Sequence, residues 1–230
     1  MNLGLGLNLK TSGGTWTPAN ISSLTHWYKY DTGLTVDGEN DVTEWADQKG
    51  SNDLTSSGVS NVSPLYSGGA VHFNANNDVM TFDSALNLGK FAIYFRWEVS
   101  SFSTADFILN VTGDDFLKTN SNTEFRLKID GGGRHDAAGI SAMSVDTKYN
   151  LGFEREDTAD TTNDQIFIFL DNASKSIAGT GGGTQAITEL FTLTSLGKPA
   201  ADLKLYEVII CSNSLTTSDR SNLNAYLNKI

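Results

Sequence analysis

The chain has 230 residues, 39% of them apolar, and carries 27 acidic against 16 basic side chains, a formal charge of -11 at neutral pH. Such a length can bury one sizeable core, while an acidic balance with no lysine–arginine cluster to replace counterions excludes a phosphate-backbone binder, so nucleic acid is not expected as a partner. The one cysteine, Cys211, excludes an intrachain disulfide, no apolar run approaches a membrane span, and no secretory leader is read at the start of the sequence.

In chain order, Leu3, Leu5, Leu7 and Leu9 alternate with Gly4, Gly6 and Asn8, the period of an extended segment with one apolar side. Glycine at alternate positions leaves room for another backbone or a flat surface to approach. The segment reads either as an ordinary first strand or as an assembly arm, residues 1–14, joined through Ser12, Gly13 and Gly14 to a single domain at residues 15–230. Pro18 suits the first position of a short helical turn, and Leu24, Trp27, Tyr28 and Tyr30 follow in a strand bordered by His26. Asp37-Gly38 marks a hairpin turn. Trp45 is a core position, and Asp47, Gln48, Asn52 and Asp53 close a loop through side-chain-to-backbone hydrogen bonds.

Ser63 to Tyr66 reads as a turn feeding a strand at Val71 and Phe73, and 74–80 as the acidic turn after it. The clearest alternation comes next: Phe91, Ile93, Phe95, Trp97 and Val99 share one face, and Ala92, Tyr94, Arg96 and Glu98 the other. Burying that aromatic face contributes on the order of 10 kcal/mol before entropy is set against it. Short strands are expected at 107–111 and 116–118, and a half-buried strand where Phe125, Leu127 and Ile129 alternate with Glu124, Arg126 and Lys128. The stretch 135–143 receives no assignment. Tyr149, Leu151 and Phe153 make another strand, Ile166 to Leu170 ends at an Asp171-Asn172 turn, and the apolar alternation from Ile187 to Leu196 closes at Gly197-Lys198-Pro199.

In the tail, Leu203, Leu205, Tyr206, Val208, Ile209 and Ile210 are too dense for a one-sided strand and predict one covered on both faces. Cys211 beside them suits a small buried hydrophobe. Thr216 as N-cap and Asp219 in the first turn begin a helix, whose Leu223, Tyr226, Leu227 and Ile230 form one apolar stripe. That stripe must dock on the strands.

The tail resembles the closing strand and terminal helix of the concanavalin A-like (laminin G-like) sandwich domains, with Glu207, Leu215, Thr216, Arg220, Tyr226 and Leu227 in register with their pattern. Residues 42–54 resemble the family's Trp-x-Asp-x-x-Gly-x-x-(Asp/Asn)-Leu segment, and Asp171-Asn172 its turn after a hydrophobic strand; Ala75 departs from the pattern by replacing a usual Gly. The resemblance runs from about Thr17 to Ile230 and implies an all-β, concanavalin A-like jelly-roll sandwich of two antiparallel sheets with a short C-terminal helix. A leucine–glycine start ahead of such a sandwich is similar to the starts of tailed-bacteriophage virion proteins. It implies a non-enzymatic structural protein on the virion surface, made in the host cytoplasm. The chain would decorate the capsid or sit on the tail in many copies, with other virion proteins as partners and Leu3, Leu5, Leu7 and Leu9 as its anchor. The alternative is a stand-alone carbohydrate-binding module or adhesin.

Glu39, Asp41 and Glu44 fit the Glu-x-Asp-x-x-Glu string of laminarinase-type glycoside hydrolases, which use two carboxylates as nucleophile and acid/base. The string follows directly on Asp37-Gly38, so a charge-rich turn is the expected outcome and no catalytic residue is assigned. His26, His72 and His135 lie on separate segments, none in a nucleophile elbow. Glu154, Glu156, Asp157, Asp160 and Asp164 offer oxygen ligands for Ca²⁺ but lack an EF-hand spacing, so an acidic hairpin tip is expected and neither metal nor cofactor is assigned. Glycan binding needs an exposed aromatic with fixed polar groups nearby. Tyr94, Arg96 and Glu98 on the outer face of their strand, with Arg126 and Lys128 on a neighbour, form the candidate set; ordinary cross-strand pairing is the other reading of the same residues.

Overall fold

A computed structural model describes residues 15–58, 62–75, 77–102, 107–110, 115–129, 135–138, 140–156, 166–176, 178–179, 190–197 and 202–230. Leu3, Leu5, Leu7 and Leu9, and also Asp157, Asp160 and Asp164, lie outside these residues.

After a 3₁₀ turn at Pro18–Asn20 come β1 (Leu24–Tyr28), β2 (Leu34–Val36), β3 (Val42–Trp45), β4 (Leu54–Thr55), β5 (Leu65–Ser67) and β6 (Ala70–Phe73). They are followed by β7 (Val79–Leu88), β8 (Phe91–Val99), β9 (Phe107–Leu109), β10 (Phe116–Ser121), β11 (Glu124–Lys128) and β12 (His135–Ala138). The last strands are β13 (Tyr149–Arg155), β14 (Ile166–Leu170), β15 (Ala173–Ser176), β16 (Ala178–Gly179), β17 (Phe191–Gly197) and β18 (Leu203–Cys211), and α1 (Thr217–Leu227) closes the chain. The first sheet runs β15-β14-β13-β8-β18-β6-β5, with β1 also on β18; the second runs β16-β12-β11-β10-β9-β17-β7-β4-β3-β2. This is the expected all-β jelly-roll of concanavalin A-like type, two antiparallel sheets with a short C-terminal helix.

The main core lies between the sheets. Phe91, Ile93, Phe95, Trp97 and Val99 of β8 face Phe125 and Leu127 of β11 across it, and the Trp97 and Phe125 rings stand 5.7 Å apart. A second core lies outside the first sheet, where Leu223 and Leu227 of α1 cover Ala92, Tyr94, Ile209 and Cys211. Each of these leucines contributes about 2 kcal/mol by leaving water. The molecule is therefore layered as helix, sheet, sheet, and β18 occupies the middle: β8 pairs along one edge, β6 and β1 share the other, and both faces are covered. Cys211 is fully buried in the outer core, where burial pushes its thiol up to about 12.

Local rules hold at the ends. Thr216 caps α1, its hydroxyl accepting from Asp219 N at 3.1 Å. Asp171 and Asn172 both take positive φ, 48° and 70°, as a two-residue hairpin requires, and they join β14 to β15. The Trp45 loop closes as expected: Asp47 N donates to Asp53 Oδ1 at 2.7 Å, and the Asn52 amide brackets Ser84 through two 2.8 Å bonds. Gly50 is required there, since a Cβ would lie 2.5 Å from Asp47 Oδ2. Where Ala75 stands for glycine, Asp78 Oδ2 closes the turn by accepting from the Asn74 and Ala75 N–H groups.

Several elements differ from expectation, among them β15 and β16, which follow the Asp171-Asn172 turn where no strand is expected. β1 ends at Tyr28 and does not reach Tyr30. β7 runs on through Leu88 past the expected turn: Met80 and Phe82 are buried and Leu86 and Leu88 half-buried on one side of it, with exposed Ser84 interrupting the alternation between the two pairs. β12 forms in the unassigned stretch by pairing with β11. Among the described residues no helix is long and apolar enough to cross a membrane.

Candidate functional site

The candidate glycan residues fall into two places that do not meet. Tyr94, Arg96 and Glu98 do lie on the outer face of the first sheet, but α1 and neighbouring side chains cover them, leaving 3%, 8% and 9% exposed. The expectation of an open Tyr94 face is corrected: its hydroxyl donates to Glu154, and the Arg220 guanidinium of α1 grips Glu154 at 3.0 and 2.9 Å. Gly152, opposite Tyr94 on β13, makes room for this ring, since a Cβ would lie 2.2 Å from it. Arg96 donates to Asn150 at 3.0 Å, and Asn150 reaches Asn224 of the helix at 2.7 Å and Asn228, its C-cap, at 2.9 Å. Glu98 holds Lys204 at 2.5 Å and the Tyr206 hydroxyl at 3.1 Å. Arg126 and Lys128 sit on β11 in the opposite sheet, Arg126 3.8 Å from Glu124. They are not neighbours of Tyr94.

The acidic strings are placed as turns and core partners. Asp37 Oδ1 accepts from the Glu39 and Asp41 N–H groups at the β2–β3 hairpin; Glu39 is exposed, Asp41 buried, and Glu44 half-buried on β3. Glu154 lies beneath the helix and Glu156 is exposed. Among the described residues no group of three His, Cys, Asp or Glu is placed to hold a metal. His26 Nδ1 stands 2.6 Å from Asp47 Oδ2, and His72 Nε2 3.6 Å from Asp202. His135 belongs to β12, apart from both.

A cavity of about 300 Å³ opens where β1 meets the end of α1, lined by Trp27, Tyr30, Tyr226 and Ile230, with Lys29, Lys229, Thr15 and Thr17 around them. Trp27 and Trp16 both stand edge-on to Tyr226 at 6.4 Å. Behind the wall lies Glu207, fully buried. Trp27 Nε1 donates to its Oε1 at 2.6 Å, and the Tyr226 hydroxyl is turned to the same carboxyl group.

Solved structures share this fold. The Trypanosoma rangeli sialidase in complex with sialic acid matches over 94% of this chain, with a TM-score of 0.60 and 13% identity, and 34% of its own chain is covered. Botulinum neurotoxin type C, whose cell entry depends on interaction with two ganglioside molecules, matches over 92% of this chain at TM-score 0.59 and 13% identity, with 53% of its chain covered. The binding domain of botulinum neurotoxin DC in complex with SialylT matches over 92% at TM-score 0.56 and 14% identity, with 52% of its chain covered. The chain thus spans about a third of the sialidase and about half of each toxin chain. No family model matches the sequence, and no curated protein matches it. The fold resembles lectin-type jelly-roll sandwiches.

Glu207 reaches the outer face through a bulge. The pairing of β18 with β8 shifts register between Leu205 and Glu207, so the extra residue, Tyr206, and Glu207 both leave the inter-sheet core while Val208 returns to it. Burial pushes the Glu207 carboxyl up to about 7, against Trp27, Tyr226 and the Lys29 charge, which pull it down. Asp47 goes the other way, to about 2: burial acts upward, but His26 and the backbone N–H groups of Gly50, Trp27 and Lys49 outweigh it. Sequence reading missed this cavity because Trp27 and Tyr226 are far apart in the chain. One signal was present: a lone acid in the apolar run of β18 needs donors from elsewhere.

Proposed function

We propose that this protein is a non-enzymatic recognition domain for carbohydrate, with a sugar ring seated in the cavity walled by Trp27, Tyr30 and Tyr226. The observation that carries this reading is how the wall is held. Trp27 and Tyr226 direct their polar ends at buried Glu207 and so turn carbon toward the cavity. Sugar C–H faces stack on such carbon, and the ring hydroxyls find hydrogen-bonding partners in Thr15, Thr17, Lys29 and Lys229. Aromatic anchors already pinned lose little freedom on binding. The matched sialidase and toxin structures concern proteins that meet sialic acid or gangliosides, which supports carbohydrate as the ligand class. A glycan array followed by calorimetry on the full chain is the test. Binding is expected, with Tyr30→Ala and Tyr226→Leu each weakening it roughly tenfold or more and the melting curve of Tyr30→Ala unchanged. No glycan bound, or affinity indifferent to Tyr30→Ala, would remove the reading.

A virion setting for the same domain is favoured by the alternating leucines and glycines of residues 1–14. The domain would then decorate a bacteriophage capsid or tail, display its sugar site on the virion surface and pack with other virion proteins. Thr15, next after that segment, lines the cavity. Mass spectrometry of purified particles decides this setting: a particle without the chain ends it and leaves sugar binding untouched.

A further inference from the structure

We propose a second ligand site, for an uncharged sugar, in a cavity formed by the loop after β8, the turn between β10 and β11, and the segment before β13. The cavity, about 460 Å³, is lined by Ser101, Asn120, Ser121 and Asn122 on its polar side and by Phe102, Met143 and Val145 on its apolar side. None of these side chains ionises, although the chain carries 27 acids and 16 bases. The first cavity, by contrast, is lined by Lys29 and Lys229. An ionic ligand finds no countercharge in this lining. A neutral polyol finds amides and hydroxyls beside an apolar floor.

The frame is already built. Met143 N donates to Asn122 O at 2.8 Å, Asn122 Nδ2 returns a bond to Met143 O at 3.3 Å, and Ser144 N donates to the Tyr149 hydroxyl at 2.8 Å. Asn120 is oriented by its amide nitrogen donating to Glu124, and the amide oxygens of Asn120 and Asn122 accept nothing among the described residues. Phe102 packs on the inter-sheet core and Met143 is buried, so the floor is fixed, while Val145, 45% exposed, forms the rim.

The three methionines make the test direct, because Met143 lines the cavity and Met80 lies in the core. The full chain, labelled at the methionine methyl groups, is titrated with cellobiose, lactose and N,N′-diacetylchitobiose, and in parallel with glucuronate. At least one neutral disaccharide is expected to shift Met143 saturably and leave Met80 still, with an affinity unchanged between about 50 and about 500 mM salt. Val145→Lys, at an exposed position, and Asn120→Ala are each expected to weaken this binding roughly tenfold. Tyr30→Ala is expected to leave it unchanged, which separates this site from the first. No shift of Met143 by any neutral sugar, equal binding of glucuronate, or indifference to Val145→Lys each overturns the proposal. So does self-association abolished by Val145→Lys, which makes this face a contact between copies.

Discussion

The two ends of α1 cover two buried carboxylates from the same sheet and solve the same problem differently. Under its first turns, Glu154 meets a full positive charge: Arg220 grips both carboxyl oxygens, while Tyr94 and the Leu215 N–H supply further donors. Under its last turn, and among the described residues, Glu207 has no cation bound to it: the neutral Trp27 indole N–H donates to Oε1 at 2.6 Å, Oε2 has no hydrogen-bond partner, and the Tyr226 hydroxyl and the Lys29 charge act on the carboxyl group besides. The first end is packed: Arg220 also lies 4.0 Å over the Phe169 ring. The second end stays open as the aromatic cavity. A charge paired by charge locks the helix down, whereas a carboxyl held by aromatic polar tips fixes two rings and leaves their carbon to face outward.

The largest effect is expected from breaking the packed end. Arg220→Met should cost about 3 to 5 kcal/mol, because it strands Glu154 without its countercharge in a buried place. Urea unfolding at neutral pH measures this. Adding Glu154→Gln to Arg220→Met should recover more than half of the loss, since the remaining side chain is then neutral. If the double variant is no more stable than the single one, the Glu154 charge is not what Arg220 answers.

The open end should show itself through pH. The folded Glu207 carboxyl titrates near 7, above its ordinary 4.5, so the folded chain holds a proton there that the unfolded chain has released. Its contribution to stability is complete below the ordinary value and is lost as pH rises through 7, a difference of about 3 kcal/mol in all. Glu207→Gln, which cannot ionise, should therefore melt like the parent near pH 4.5 and above it at pH 8. The Trp27 indole N–H signal should follow the same midpoint. Parallel stability curves for parent and Glu207→Gln across this range would sink the assignment.

How much of this was legible in the sequence follows from where the signals are local. The cap at Thr216, the stripe through Leu223 and Leu227 and the inward face of β8 were readable because each is written within a few neighbouring residues. The outer face of β8 was not. Tyr94, Arg96 and Glu98 alternate with apolar residues just as a solvent-facing set would, and only the partners at Glu154, Asn150 and Lys204 show that they are enclosed. Periodicity separates the two faces of a strand but does not tell water from a hydrogen-bonded helix. The cavity failed to appear for a related reason, since its wall joins β1 to the end of α1 and no window of sequence contains both.

The finest test of the two-ended helix is Tyr226→Phe, which keeps the ring against Trp16 and Trp27 and removes only the hydroxyl turned to Glu207. The stability loss should be about 1 kcal/mol or less. The titration should move further, because one of the groups pulling the Glu207 carboxyl down has gone. The Trp27 indole midpoint is thus expected above 7. Sugar affinity at the first cavity should stay within about threefold at a pH where the carboxyl is protonated, since the carbon wall is intact. An unmoved midpoint would mean that the hydroxyl never reached the carboxyl. A large loss of sugar binding would mean that Tyr226 meets its ligand through oxygen, and that the wall works as a polar contact in place of a stacking surface.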